Sequence, residues 1–237
     1  MEIFPETRWS LVVRAAGSDA VQARAALGEL CRAYWEPLYR FARRAGVDAD
    51  AARDEVQGFL TSLIERRTLD HAQADRGRLR SYLLAAFRHY RSNLRRDERA
   101  QKRGGGDALV SIDVDDAESR LATEPVYEGD SPERSFERAW ARQVLARGLE
   151  ALEQQYRERD REGLFEALRG HLVGDEDAVP YAELAERTGL GEGALKVAVH
   201  RLRRRYRDVL RAEVAQTLED PARADDELRY LASILRN

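Results

Sequence analysis

Hydrophobic and polar positions follow the period of an amphipathic α-helix along most of the chain. The pattern is clearest over residues 192–207, where four apolar residues recur at i, i+4, i+7 and i+11. These residues are Leu195, Val199, Leu202 and Tyr206. A shorter apolar face precedes them over 181–190, and Gly189 stands where a helix can end with a positive φ. The pattern predicts two helices joined by a tight turn.

The same period predicts helices over most of the remaining chain. Residues 7–45 give two helical patterns, and Pro37 predicts a kink or break in the second of them, 20–45. Further helices are predicted over 49–67, 75–103, 133–159, 164–172 and 225–235. Asp48 and Ser131 are predicted helix N-caps.

The helical period is lost over 104–130, a stretch that begins with three glycines and then carries mainly acidic side chains. The fold class expected is therefore all-α, with two helical domains joined by a flexible acidic linker. The expected segments are a first domain over 1–103, the linker over 104–130, a second domain over 131–218 and a C-terminal helical extension over 219–237.

Composition narrows the class of protein. The chain has 237 residues, of which 43% are hydrophobic and 35% charged, so it can bury one or two cores beneath a highly charged surface. It has neither an apolar run long enough to cross a membrane nor a signal-peptide pattern, so we expect a soluble cytoplasmic protein. With Cys31 as its only cysteine, a disulfide or a cysteine metal cluster within one chain is excluded.

Charge is segregated along the sequence, although the formal net charge is only −3. Positive charge concentrates in 76–103 and 196–211, and negative charge in 107–130, 175–177 and 219–227. A local basic cluster attracts nucleic acid even when the whole chain is acidic. The two basic segments are therefore candidate nucleic-acid contacts.

Each basic segment has a functional and a purely structural interpretation. Two helices with a glycine turn and a basic exposed face match the helix-turn-helix that places its second helix in a DNA major groove. In 75–103, arginines could neutralise phosphates while Tyr82, Phe87 or Tyr90 stacks on an unpaired base. The alternative is a solvated arginine face over a core that contains these aromatic residues.

Signals of catalysis are absent from the sequence. The four histidines are scattered without metal-ligand spacing, and Gly104–Gly106 is not followed by the Lys-Ser/Thr of a phosphate-binding loop. No nucleophile signature accompanies a serine or the cysteine. We expect no enzyme activity, no cofactor and no metal.

Two basic helical units joined by an acidic linker resemble a bacterial RNA polymerase sigma factor of the extracytoplasmic-function (ECF) group, over roughly residues 5–215. The segment ARDEVQGFL is similar to the helix of the sigma-2 domain that docks on the polymerase clamp. The segment DRGRLRSYLLAAFRHYRSN is similar to the helix that recognises the minus-ten element and melts the promoter. The segment EGALKVAVHRLRRRY is similar to the helix of the sigma-4 domain that reads the minus-thirty-five element.

The resemblance implies a role for three sets of residues. Contacts with the minus-thirty-five element are expected from Glu192, Gly193, Lys196, Val197, His200, Arg201 and Arg204. Contacts with the minus-ten element and the melted strand are expected from Arg80, Arg88, His89, Arg91, Asn93, Arg95 and Arg96. Contacts with core polymerase are expected from Asp54, Glu55, Gln57 and Phe59.

The sequence departs from the family pattern at three positions. Gly191 stands where a capping serine is frequent, Asn93 where many members have aspartate, and Gly58 where an acidic residue is usual. Glycine at 58 lowers the helix propensity of the docking segment by about 1 kcal/mol relative to alanine. These departures bear on clamp affinity and promoter preference.

The implied function is transcription initiation: the protein would bind core RNA polymerase, bring it to specific promoters and open the duplex there. The expected partners are core polymerase and promoter DNA, with no membrane. An anti-sigma factor and a kinase acting on Thr61 or Ser62 are further candidates. The acidic linker or tail is also a candidate for folding back on the basic faces; the alternative is that its charges only keep the linker extended.

Two other function classes stay open at this point. A transcriptional regulator would use the helix-turn-helix alone and bind DNA independently of polymerase. A helical adaptor with a degenerate sigma fold would have no DNA role, but the arginines and lysines on both basic faces argue against it.

Overall fold

The computed structural model describes residues 20–65, 78–98, 118, 131–172 and 178–236. Within these ranges the α-helices are α1 Ala20–Arg44, α2 Ala49–Glu65, α3 Leu79–Glu98, α4 Pro132–Arg157, α5 Glu162–Leu168, α6 Tyr181–Thr188, α7 Glu192–Ala215 and α8 Ala224–Arg236. Two short 3-10 helices cover Arg169–His171 and Pro221–Arg223. The β-structure of the described residues is limited to one isolated antiparallel bridge between Arg78 and Leu218. The expected all-α class is therefore confirmed for the described residues.

None of the described helices has the length and apolar character needed to cross a membrane. The helix predicted from residues 7–19 and the linker, apart from Glu118, lie outside the described residues.

The chain forms two compact units. The first, here called the N-terminal unit, comprises residues 1–143 and 214–237, and the second, the central unit, comprises residues 144–213. Residues 131–143 and the C-terminal segment therefore group with the N-terminal helices, whereas the sequence assigned them to a second domain and an extension. The division falls inside α4 and inside α7, where no break in helical period marks it.

The N-terminal unit has a core built from α1, α2 and α3. Five apolar residues at helical spacing form the buried face of α2: Ala52, Val56, Phe59, Leu60 and Leu63. From α3, the Phe87 ring lies 5.1 Å from the Phe59 ring and 6.0 Å from the Phe41 ring of α1, centroid to centroid. Aromatic pairs at these distances add to the energy of simple burial.

Of the kink or break predicted at Pro37, the break is wrong, because α1 continues through Pro37 to Arg44. A proline inside a helix costs about 3 kcal/mol. Tyr34, Leu38 and Tyr39 on either side are fully buried, and the tertiary packing of the helix outweighs that cost. Gly46 ends the helix with a φ of 83°, and the Asp48 carboxylate caps α2 by accepting from the Ala51 N–H at 2.9 Å.

The central unit packs α5, α6 and α7 against the second half of α4. Its buried cluster consists of Leu152, Tyr156, Phe165, Leu168, Leu184, Leu195, Val199 and Leu202. Gly189 ends α6 with a φ of 69°, as its position in the predicted turn required. Leu145 of α4 is 37% exposed, although it is a large apolar residue.

Candidate nucleic-acid interface

The first candidate surface is the outer face of α7, here called the recognition face. All seven residues predicted to contact the minus-thirty-five element are exposed: Glu192, Gly193, Lys196, Val197, His200, Arg201 and Arg204. At 100° per residue they occupy one half of the helix circumference. Leu195, Val199 and Leu202 occupy the other side and are buried in the core of the central unit. The recognition face is therefore a continuous surface.

Two contacts position Lys196 on this face. Its ammonium lies 3.8 Å from the Glu192 carboxylate, one turn earlier, and 5.7 Å from the centroid of the Tyr181 ring of α6. Both are exposed contacts of small energy. They leave the ammonium accessible to a phosphate or a base edge.

Other arginines of α7 serve the fold of the central unit. The Arg203 guanidinium donates twice to the carbonyl oxygen of His171, at 2.9 and 2.7 Å, and this fixes the 3-10 helix against α7. The Arg205 guanidinium lies 5.7 Å from the centroid of the Tyr156 ring. The sequence grouped both with the basic exposed residues, and the structure gives both an intramolecular contact.

The second candidate surface is a concavity of about 380 Å³ on α3, here called the arginine pocket. It is lined by Phe41, Arg88, Arg91, Ser92, Arg95 and Arg96. All four of its arginines belong to the set predicted to hold the melted strand. Arg88, Arg95 and Arg96 are exposed, so the pocket presents cationic groups to a polyanion around a small apolar floor.

Arg91 lies deeper than the other arginines of the pocket and is already paired. Its Nε donates to the Glu55 carboxylate of α2 at 2.6 Å, and its guanidinium lies 5.6 Å from the Phe41 ring and 5.8 Å from the Phe87 ring. Arg91 is thus a wall of the pocket held by Glu55, and not the exposed cation that the sequence predicted.

Arg88 in the pocket and two further predicted residues of α3, His89 and Asn93, make exposed contacts. Arg88 forms an exposed ion pair with Glu133 of α4 at 3.4 Å. His89 is exposed, and its Nδ1 lies 3.3 Å from the Asn93 side-chain nitrogen. These contacts are weak enough to be exchanged for contacts with a ligand.

Arg80 is the clearest correction, because it is 1% exposed and cannot touch DNA in this structure. Its guanidinium pairs with Glu227 of α8 and lies 4.8 Å from the Trp140 ring and 5.2 Å from the Tyr230 ring. Burial lowers the pKa of Arg80, while the Glu137 carboxylate at 3.9 Å acts in the opposite direction. Arg80 belongs to the packing of the N-terminal unit.

Glu227 is the residue of this cluster that sequence reasoning missed. It is 1% exposed, and its second carboxylate oxygen forms an ion pair with Arg78, 2.7 Å from the Nε atom. A signal was present, since Glu227 lies on the helical stripe of α8 that also contains Ala224, Leu231 and Ile234. A carboxylate on a buried stripe requires a buried cation.

The predicted polymerase-docking residues separate into exposed and buried ones. Asp54 is exposed and lies 3.8 Å from Arg53, and Gln57 is half-buried. Glu55 is engaged by Arg91, as described above. Phe59 is 2% exposed between Phe87 and Tyr90, so it supports the α2 surface from beneath and does not contact a partner itself.

Two more features of α2 bear on the sequence predictions. Gly58 faces Tyr90 of α3, and a Cβ at this position would overlap the Tyr90 hydroxyl. Ser62, a candidate for phosphorylation, donates its hydroxyl to the Phe59 carbonyl at 2.7 Å. Gly58 therefore has a packing role within the N-terminal unit, because it leaves room for the Tyr90 side chain.

One residue of the predicted linker is described, and it is anchored to α1. The Glu118 carboxylate accepts from Arg43 Nε at 2.7 Å and Nη2 at 3.0 Å, and from the Tyr39 hydroxyl at 2.5 Å. Hydrogen bonding to Arg43 lowers the pKa of Glu118, whereas burial, reinforced by Glu118, raises the pKa of Tyr39. Glu118 lies on neither the recognition face nor the arginine pocket.

In the part of the chain that the structure describes, no cluster of three or more His, Cys, Asp or Glu side chains could hold a metal ion. Cys31 is buried, and that burial raises the pKa of its thiol to about 11, so it is a packing residue and a poor nucleophile.

Comparison of the chain with protein-family models, with curated proteins and with solved structures found no match in any of the three.

Proposed function

We propose that the chain is a sigma factor of the ECF group, which binds core RNA polymerase in the cytoplasm and directs it to specific promoters. The helix-turn-helix of the central unit would read the minus-thirty-five element. The N-terminal unit would dock on polymerase through α2 and engage the minus-ten element through α3. In this proposal the segment 104–130 is the acidic linker between the two functional parts, and the protein acts by binding and not by catalysis.

The observation that carries the proposal is the presence of two separate cationic surfaces of different shape. The recognition face is the exposed convex side of a helix, which suits a major groove. The arginine pocket is concave, and its lining includes three exposed arginines and the Phe41 ring. A concave cationic site with an aromatic floor suits a single strand whose bases are unstacked.

The arrangement of α2 and α3 also supports the polymerase role. Glu55 of the predicted docking helix holds Arg91 of the predicted melting helix. A partner that engages the exposed Asp54 side of α2 would therefore act next to a residue of the arginine pocket. A regulator that used only the helix-turn-helix would have no use for this second site.

The second candidate function is a helix-turn-helix regulator that binds DNA without polymerase. It is favoured by the recognition face alone, which is complete and exposed within the central unit. A regulator of this kind would not use the arginine pocket or the α2 surface for binding.

Selection from a random-duplex library separates the two functions. The full chain, core RNA polymerase, and the two together would each be incubated with the library at low salt, and the retained DNA sequenced. We expect enrichment only for the combined sample, with two motifs at a fixed spacing. Enrichment of a single motif by the chain alone would replace the sigma assignment with the regulator, and no enrichment in any sample would refute both.

A further inference from the structure

The recognition face carries one large apolar side chain at its centre. Val197 is 50% exposed, against 38% for Leu190 and 37% for Leu145, the other large apolar side chains that are exposed among the described residues. Gly193 lies one turn before it and Arg201 one turn after it on α7. The valine therefore lies beside the exposed charged side chains of Lys196 and Arg201, on a face that points away from the core.

The space around Val197 is open on its N-terminal side. A Cβ placed on Gly193 would meet nothing within 4 Å, so no side chain fills the surface one turn before Val197. Residues in the N-terminal part of a recognition helix are those that reach base edges in the major groove. A bare glycine lets that part of the helix approach the bases closely.

Valine at this position is unfavourable for the free protein. It is β-branched, which lowers helix propensity, and its methyl groups are exposed to water. Its neighbours His200, Arg201 and Arg204 indicate a polyanionic partner. On the major-groove edge of B-DNA, the thymine C5 methyl is the apolar group that a valine can contact.

We infer that Val197 contacts the C5 methyl of a thymine in the minus-thirty-five element and is a specificity-determining residue. The inference rests on the proposed function, and it further specifies thymine as one base that the protein recognises in the minus-thirty-five element. The flanking charges would hold α7 on the phosphates and purine edges, while Val197 selects thymine over cytosine and over the other pairs at one position.

Thymine-to-deoxyuridine replacement tests the inference, because it removes the methyl group and keeps the hydrogen-bonding edge. The probe is the duplex enriched by the full chain with core polymerase, with each thymine of the upstream motif replaced singly. For the unmodified chain we expect one position at which deoxyuridine weakens binding about fourfold, the effect of one apolar carbon group. Val197→Ala should bind the thymine duplex more weakly by a similar factor and should bind both duplexes equally.

Leu190→Ala is the matched control, since it also truncates an exposed apolar side chain of the helix-turn-helix. This variant should keep the sensitivity to deoxyuridine. Equal binding of all deoxyuridine duplexes by the unmodified chain, or retained sensitivity in Val197→Ala, would overturn the inference and leave the sigma function intact. Failure to enrich any duplex would remove the proposed function, and the inference with it.

Discussion

Gly58 shows how a single residue sets the distance between two helices. Its lack of a side chain lets Tyr90 of α3 lie against the α2 backbone, next to the contact between the Phe59 and Tyr90 rings. The same glycine weakens the isolated helix. Close packing of α2 on α3 is thus obtained at the expense of helix propensity.

Gly58→Ala should therefore destabilise the protein, although alanine is the better helix former. Overpacking costs typically 1–3 kcal/mol and the propensity gain is about 1 kcal/mol, so we expect a net loss of about 1 kcal/mol in the free energy of unfolding. Urea denaturation followed by circular dichroism measures it.

Two further variants test the cause of this loss. Gly163→Ala, in α5, places the new methyl in open space and should stabilise the protein by about 0.5–1 kcal/mol. Adding Tyr90→Phe to Gly58→Ala removes the overlapping hydroxyl and should recover stability. Equal effects of the two alanines would show that contact with Tyr90 is not the reason for glycine at 58.

For single residues, the sequence predicted the helix face on which a side chain lies better than it predicted the exposure of that side chain to solvent. Helical period places Phe59 and Arg91 correctly on α2 and α3, but it does not reveal that neighbouring helices cover them. Arg80 is buried because Glu227, 147 positions later in the chain, arrives beside it. A pairing between residues so far apart in the sequence cannot be predicted from the local pattern of hydrophobic and polar positions.

At the scale of elements, the anchoring of the acidic segment to α1 makes a prediction about pH. The folded state lowers the pKa of Glu118 through its hydrogen bonds with Arg43. A carboxyl group with a lowered pKa stabilises the folded state above its unfolded pKa, and this stabilisation is lost as the pH falls through the folded value.

Glu118→Gln should be less stable than the unmodified chain at neutral pH. The difference should shrink as the pH falls below the ordinary glutamate value of 4.5, because Glu118 itself then becomes protonated. Thermal unfolding at a series of pH values measures this. A constant difference between the two proteins across the acid range would contradict the role assigned to the carboxylate.

The C-terminal helix α8 is attached to the N-terminal unit through a buried charge cluster. Glu227 pairs with both Arg78 and Arg80, and the Leu79 N–H donates to the Thr217 carbonyl at 3.1 Å. The sequence predicted α8 as an amphipathic helix without predicting what it covers. Its packing partner depends on Glu227, whose role is visible only in the fold.

Glu227→Gln should strongly destabilise the N-terminal unit, by about 3 kcal/mol, since it leaves the Arg80 guanidinium buried without its counter-charge. Asp226→Asn is the control on the neighbouring residue, because Asp226 is exposed and its ion pair with Arg229 is exposed too. This change should alter stability by less than about 1 kcal/mol. Similar melting temperatures for the two variants would refute a structural role for the Glu227 cluster.

In the whole molecule, the location of the charges matters more for binding nucleic acid than the net charge does. A chain with a formal net charge of −3 presents two cationic surfaces, one in each compact unit. Two acidic residues of the predicted linker and tail contact cations outside these surfaces: Glu118 pairs with Arg43, and Glu227 pairs with Arg78 and Arg80. The hypothesis that the acidic segments compete with DNA remains a prediction.

The sequence predicted local features of the fold, but it did not predict which segments belong to each compact unit. It predicted the all-α class, the turn at Gly189 and the recognition face, since each follows from local period and local backbone chemistry. The compact units could not be predicted from it, because residues 131–143 and 214–237 join the N-terminal unit through side-chain contacts made across the chain.

The most direct test of the central claim is run-off transcription by core RNA polymerase from the duplexes selected above, with and without the protein. We expect transcripts only when the protein is present. Arg95→Glu/Arg96→Glu, at the rim of the arginine pocket, should abolish them. The control Arg159→Glu/Arg161→Glu, an equal change of charge at exposed positions of the central unit, should not. Transcription independent of the protein, or unchanged by the pocket variant, would contradict the account.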